Sequence, residues 1–532
     1  MIRRTLLLFS ALFCVRVFTA ENGADVSAAL DAAVEAKFNG AHAAEVCSES
    51  EFLRRVSLDL TGAVPSVDDA KAYLAAPDRK KLVEKLLESP EFDAWWGRFL
   101  LELTTGRRAV NFDDEYNGRL LYDWFKQQLK KRRGYDAIVS DLIAAKGNAD
   151  EASPVHFILR YKVRPDDLAG AVSRSFLGTG LQCAQCHDHP FDKYTEDDFW
   201  GVAAFFARTR KFEVDGSDTV GVTDVKRAKK YGDDEDPDEA VTAAVKAATK
   251  AKPHWLDGKP QARRAGRKEL AQCVVGDPLF AKNIANRVWA KLLGRGIVEP
   301  LESFGSRAKP THPELLDALA KDFADAHYDL RALVKTIVLT KTYQRSSQGD
   351  GDTALFLRAT LRPLSVDQLY QSILRATRYE YDEDGSGDDA EADKADKADD
   401  APKMEKPAEG TMKKEPKPAA APDEEETPED KLNDADNKPV GVLSESSRSL
   451  RRALALLNQG DIHAAAESGA RYCMKTLGKP VTSAHFDYVW LSLLSRPLNA
   501  DEKKLFVNKH KRTDLEDAIW AVMNSAEFKF NH

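Results

Sequence analysis

Cysteine is scarce in this chain: there are six in 532 residues, too few for a disulfide framework to hold a protein of this size together. No apolar run approaches the roughly 20 residues that a membrane-spanning helix needs, so no transmembrane span is expected. A Gly-rich phosphate loop ahead of a helix, a Gly-x-Ser-x-Gly elbow and a fixed-period repeat are all missing, which removes the usual entry points to nucleotide-binding, hydrolase, kinase and solenoid readings. A basic excess is missing too. The net charge is −8, and nothing resembles the electrostatic footprint of a nucleic-acid binder.

What is present is enough apolar material for more than one core: 43% hydrophobic and 31% charged residues, at a length that calls for two to four folding units. Met1-Ile2-Arg3-Arg4, the apolar stretch from Thr5 to Val15, and small or polar residues around Thr19, Ala20 and Glu21 read as a secretory signal over residues 1–20. The protein is therefore expected to be exported, to a periplasmic or cell-surface location. With Cys14 removed in the signal and Cys183 and Cys186 holding a cofactor, Cys47, Cys273 and Cys473 remain, and at most one bridge forms among three.

From Ala28 to about Arg208 the apolar positions recur at helical spacing. Ser66 with Asp69, Ser89 before Pro90, and Thr195 with Asp198 supply acceptors for the orphan amides of a first helical turn. Phe92, Trp95, Trp96, Phe99, Leu100 and Leu103 predict one buried helical face. Residues 209–262 are polar and rich in turn formers, predicting a connector with short strands or turns. Helical patterning resumes at 263, with Leu279, Ile284, Val288, Trp289 and Leu292 on one helix ended by Gly294 and Gly296. Capping boxes are predicted at Thr311 with Glu314, Ser365 with Gln368, and Thr513 with Glu516.

Between Glu380 and Val440 the pattern stops: 22 acidic and nine basic residues leave a balance of −13, against −8 for the whole chain. Such a segment cannot bury enough apolar surface to offset chain entropy and is expected to be disordered. The sequence therefore reads as mostly α: two helical domains, 28–208 and 263–532, joined by the 209–262 connector. The second domain is split into 263–379 and 441–532 by the acidic insert 380–440.

The chemical signal lies at Cys183-Ala184-Gln185-Cys186-His187. Two thiols three residues apart can each add across a haem vinyl group, and the adjacent histidine can then reach the iron. This reading makes Cys183 and Cys186 the thioether donors of a covalent haem c and His187 the proximal iron ligand. Export agrees with it, because c-type haem is joined to protein outside the cytoplasm. Other readings stay open: zinc held by Cys183, Cys186, His187 and His189, a redox dithiol, or a structural pair. The sixth iron position is not assigned. Met474 and His156 are better read as core residues, and His189 lies too close along the chain to reach the opposite face. Asn286-Arg287 and the 294–300 stretch are read as helix-end punctuation with a structural ion pair rather than a second site.

Longer segments carry a resemblance. FLRRVSLDLTG (52–62), LLESPEFDAWW (86–96) and CAQCHDHPFD (183–192) resemble the planctomycetal cytochrome-c-associated domain PSCyt2. DPLFAKNIANRVW (277–289), GRGIVEP (294–300), HPELL (312–316) and MNSAEFKFNH (523–532) are similar to its usual partner, PSD1. The resemblance implies an exported protein with no settled reaction. Relatives often carry a cytochrome-c-like module ahead of this pair and tend to be encoded beside another exported protein. Here the first domain begins almost at once from Ala28, so an unknown redox partner or that neighbouring exported protein is the expected partner. Two functions are left standing: an exported c-type haem protein in electron transfer or a redox assembly, and a non-catalytic scaffold whose cysteine–histidine segment binds zinc or only packs. Neither assigns a substrate or establishes an enzyme.

Overall fold

The computed structural model describes residues 22–106, 112–113, 116–214, 219–225, 239–259, 261–304, 308–379 and 460–532. The expected signal at 1–20 and the acidic insert at 380–440 lie outside these described residues. Within them the chain is mostly helical, and its strands are short, from two to five residues.

Two compact units form, and neither is continuous in sequence. The first is built from the described parts of Met1–Ser48, Asp78–Thr105 and Phe112–Thr360. Helix Pro90–Thr105 starts as expected, with Ser89 Oγ accepting from Phe92 N at 3.3 Å. Its buried stripe is Phe92, Trp96, Leu100 and Leu101, while Trp95, Phe99 and Leu103 are only half-buried. Lys291 Nζ explains part of the difference, because it lies 4.4 Å from the Trp95 ring centre and 5.3 Å from that of Phe99. Helix Pro278–Leu293 ends at Gly294, whose φ of +81° is the left-handed stop that glycine adopts without strain. Tyr135 stacks on Phe280 in the same core, with ring centres 5.2 Å apart.

The connector holds the expected strands: Val220–Asp224 runs antiparallel between Gly147–Asn148 and Thr209–Glu213. It also holds a helix that the sequence reading left out, Glu239–Lys250. Val241, Ala244, Val245 and Ala248 are buried at spacings of three, one and three. That stripe is legible, but the surrounding glycines and prolines hide it.

The second unit is built from the described parts of Glu49–Pro77, Gly106–Asn111 and Leu361–His532. Helices Val366–Thr377, Gly460–Leu477, Ser483–Leu494 and Arg512–Asn524 enclose its apolar core. Helix Glu49–Thr61 is buried along most of its length, including Arg54. The Arg54 guanidinium donates to Leu493 O at 2.6 Å and Phe528 O at 2.8 Å, two carbonyls near helix ends that lack helical partners. Burial pulls its pKa down to about 10, which still leaves it charged at neutral pH. Asp59 accepts two bonds from Arg362 and one from Asn531, at 2.8–2.9 Å. The FLRRVSLDLTG motif is therefore a set of buried tie points.

Capping follows the sequence at Ser66, Thr195 and Ser365, but not at the other two boxes. Helix Pro313–Asp325 takes His312 as its cap residue without a side-chain bond, and the Thr311 hydroxyl instead donates to Ile297 O at 3.2 Å. The box expected at Thr513 lies earlier, where Asp514 accepts from the amides of His510 and Lys511, both at 3.0 Å.

Candidate functional site

The cysteine–histidine segment sits in the first unit, at the end of a helix that changes pitch. Helix Pro165–Val172 passes into a wider turn, Ser173–Leu177, of the π type, which is frequent beside functional sites. Gly178 ends it in the left-handed conformation, with φ of +64°. A short tight helix, Leu181–Ala184, then presents the motif. Leu181 and Ala184 point inward and are buried, so Cys183 and Cys186 are turned outward and exposed.

Gln185, between the two thiols, anchors the turn at two places. Its carbonyl accepts from Trp200 Nε1 at 3.2 Å, and its amide Nε2 donates to Asp166 Oδ2 at 3.1 Å. Asp166 is itself buried and held by Arg164 Nη2 at 2.8 Å. Beneath the turn, the exposed Gln182 side chain lies over Gly170, its Oε1 1.9 Å from where a Cβ would stand. The thiols thus sit on a braced turn rather than a loose loop.

The two histidines are turned to different uses. His187 is exposed, and its Nδ1 lies 2.7 Å from Asp188 O. A carbonyl only accepts, so Nδ1 is the donor in this contact, as it is in many metal-ligating imidazoles. His189 instead accepts from Phe191 N through Nδ1 at 3.1 Å, so that nitrogen is committed to its own turn. Among the described residues no three His, Cys, Asp or Glu side chains are grouped to hold a metal ion. The four-donor zinc set Cys183, Cys186, His187 and His189 is not assembled. A covalently held haem would call for two reachable thiols and an adjacent imidazole, and Cys183, Cys186 and His187 are all exposed on this turn. Phe191, 53% exposed, adds an apolar ring beside the segment.

Cys183, Cys186, Cys273 and Cys473 are all thiols outside any disulfide. Burial pushes Cys473 up to about 12, so it is inert at neutral pH. His156 is buried, accepts from Asn117 N through Nδ1 at 3.1 Å, and is pushed below the usual histidine range by burial. Met474 packs against the core of the second unit. Asn286 ties down the 297–298 backbone with bonds of 2.7–3.0 Å to both amides and to Val298 O. Arg287 faces Glu302 at 3.8 Å rather than Glu299. Sequence reasoning singled out Cys183, Cys186 and His187, which the structure places on one exposed turn, and did not point to Asp166, Gln185 or Trp200, which hold that turn. Their roles come from contacts 15–19 residues apart, which no motif spacing encodes.

Compared with known families, residues 29–211 match PSCyt2, "Protein of unknown function (DUF1549)", and residues 266–509 match PSD1, "Protein of unknown function (DUF1553)". No curated protein and no solved structure matches the chain.

Proposed function

The chain belongs to the family in which a PSCyt2 domain is followed by a PSD1 domain, and on that premise we propose that it is an exported c-type haem protein acting in electron transfer or as a redox component of an extracytoplasmic assembly. The observation that carries this reading is the pairing of two exposed thiols on a braced turn with a histidine whose Nδ1 is tied to Asp188 O. Cys183 and Cys186 are the attachment residues. Each would hold the haem through a thioether, its S–H adding across a vinyl group so that the sulfur bonds one carbon and the hydrogen goes to the other, with no leaving group. His187 would supply its imidazole to the iron as the proximal ligand. When bound, the haem supplies a one-electron couple. The chain's part is to tie His187 Nδ1 to Asp188 O, and Gln185, Asp166 and Trp200 keep the attachment turn in place. Export rests on the signal-like residues 1–20 and matches the compartment in which haem c is attached.

The test is the pyridine haemochrome spectrum of the full chain matured in a host with c-haem assembly machinery, read after denaturation. The expected result is covalently retained haem in the native chain and none in the Cys183→Ala, Cys186→Ala double variant, since imidazole coordination alone does not survive unfolding. His187→Ala is expected to shift the Soret band. A native chain matured without covalent haem overturns the proposal.

A further inference from the structure

The turn ahead of the cysteines ends its helix at Gly178, so its last carbonyls have no partners in their own helix, and because Gly178 N reaches back five residues to Ser173 O the carbonyl of Arg174 is open as well. The carbonyls of Arg174 and Ser175 are taken by side chains of helix Pro278–Leu293: Arg287 Nη2 donates to the first at 3.0 Å and Asn283 Nδ2 to the second at 2.8 Å. Arg287 Nε also donates to Asn283 Oδ1 at 3.0 Å, which orients the amide so that its NH₂ faces Ser175. Just beyond the turn, Phe304 N donates to Gly178 O at 2.9 Å and Ser303 pairs with Thr179 as an isolated antiparallel bridge. Apart from the bond between Arg287 and Asn283, each of these contacts joins residues matched by PSCyt2 to residues matched by PSD1.

We propose that Asn283 and Arg287 are positioning residues for the Cys183–His187 turn, so that the two matched segments together build one site. The inference rests on the haem reading for what the turn presents, and on geometry alone for how it is held. The wide turn contains one residue more than an α-helix would need. Returning it to α pitch would rotate all that follows by about 100° and shift it by about 1.5 Å. Such a change would carry Cys183, Cys186 and His187 away from their present facing. The side-chain donors from Asn283 and Arg287 oppose it: Arg287 holds the Arg174 carbonyl that an α turn would return to Gly178 N, and Asn283 holds the neighbouring Ser175 carbonyl at the helix end.

Asn283→Asp is the informative variant, because it keeps the acceptor for Arg287 and removes the donor to Ser175 O. Asn286→Asp, three residues on in the same helix, is the control for general destabilisation, as it removes the donor to Val298 O. Hydrogen–deuterium exchange of the full chain, read on peptides covering 173–187, is expected to speed up roughly tenfold in Asn283→Asp, the effect of one buried hydrogen bond, and to stay unchanged in Asn286→Asp. Arg287→Lys is expected to speed the same peptides by a smaller factor, and it answers the question if Asn283→Asp does not fold. In haem-loaded protein Asn283→Asp is expected to move the reduction potential while Asn286→Asp does not. Equal acceleration in both Asp variants, or no acceleration at 173–187 in either Asn283→Asp or Arg287→Lys, overturns the positioning role. A chain that never acquires haem but shows the selective acceleration defeats the haem reading and sustains this one.

Discussion

Arg496 is the residue around which charge is most tightly organised in the second unit. Its Nη1 and Nη2 each donate to Glu502 at 2.8 Å, and Nε and Nη2 donate to Glu527 at 2.6 and 2.7 Å. The paired bonds from Arg496 hold Glu502 down at about 2, against an ordinary 4.5. A depressed carboxylate stabilises the fold above its unfolded pKa and loses that contribution as pH falls through its folded pKa. Glu502→Gln is therefore expected to lower the melting temperature at neutral pH, with the difference from the native chain shrinking between about pH 4.5 and pH 2. Thermal melts across that range check it; a difference that persists unchanged at pH 2 would show that the loss is packing rather than charge. His187 illustrates the same scale at the site: one hydrogen bond ties its Nδ1 to Asp188 O.

At the scale of elements, termini decide more than interiors. Ser66, Thr195 and Ser365 cap as their spacing predicts, each hydroxyl accepting from the amide three residues on. Thr311 does not, because the helix starts one residue later, with His312 at the cap, and its hydroxyl donates to Ile297 O. Gly178 is the stop on which the functional turn depends. A Cβ there would lie 2.6 Å from Asn283 Oδ1 and 2.7 Å from the Phe304 ring, at φ of +64°. Gly178→Ala is expected to cost about 1–2 kcal/mol from the left-handed backbone alone, and more from the contact with Asn283. Urea unfolding measures it, and a loss well under 1 kcal/mol would mean that the neighbouring side chains give way.

For the whole molecule, the compact units and the family segments divide the chain differently. Residues matched by PSCyt2 include Glu49–Pro77, which share a unit with the described parts of Leu361–His532, while helix Pro278–Leu293, matched by PSD1, lies in the same unit as the cysteines. Residues 29–211 expressed alone would expose the surfaces that Phe280, Asn283 and Arg287 cover and would leave the helix Glu49–Thr61 without its core. That fragment is expected to lack a cooperative thermal transition by circular dichroism, whereas the full chain shows one or more. A sharp transition in the fragment would mean that the first family segment is an autonomous domain.

The sequence by itself determined the helical character, most helix starts and stops, the short strands of the connector and the Cys183, Cys186 and His187 constellation. Each of these depends on neighbours within a few residues: apolar period, caps, left-handed glycines, a five-residue motif. Only the tertiary structure decided which segments share a core, that Arg54 and Asp59 are buried tie points, that His189 is committed to its own turn, and that the turn bearing the thiols is braced by Asp166, Trp200, Asn283 and Arg287. The reason is physical. A backbone carbonyl left open by a wide turn can be satisfied by any donor that the fold brings within 3 Å or so, and the sequence distance to that donor, 113 residues for Arg174 and Arg287, carries no local signal.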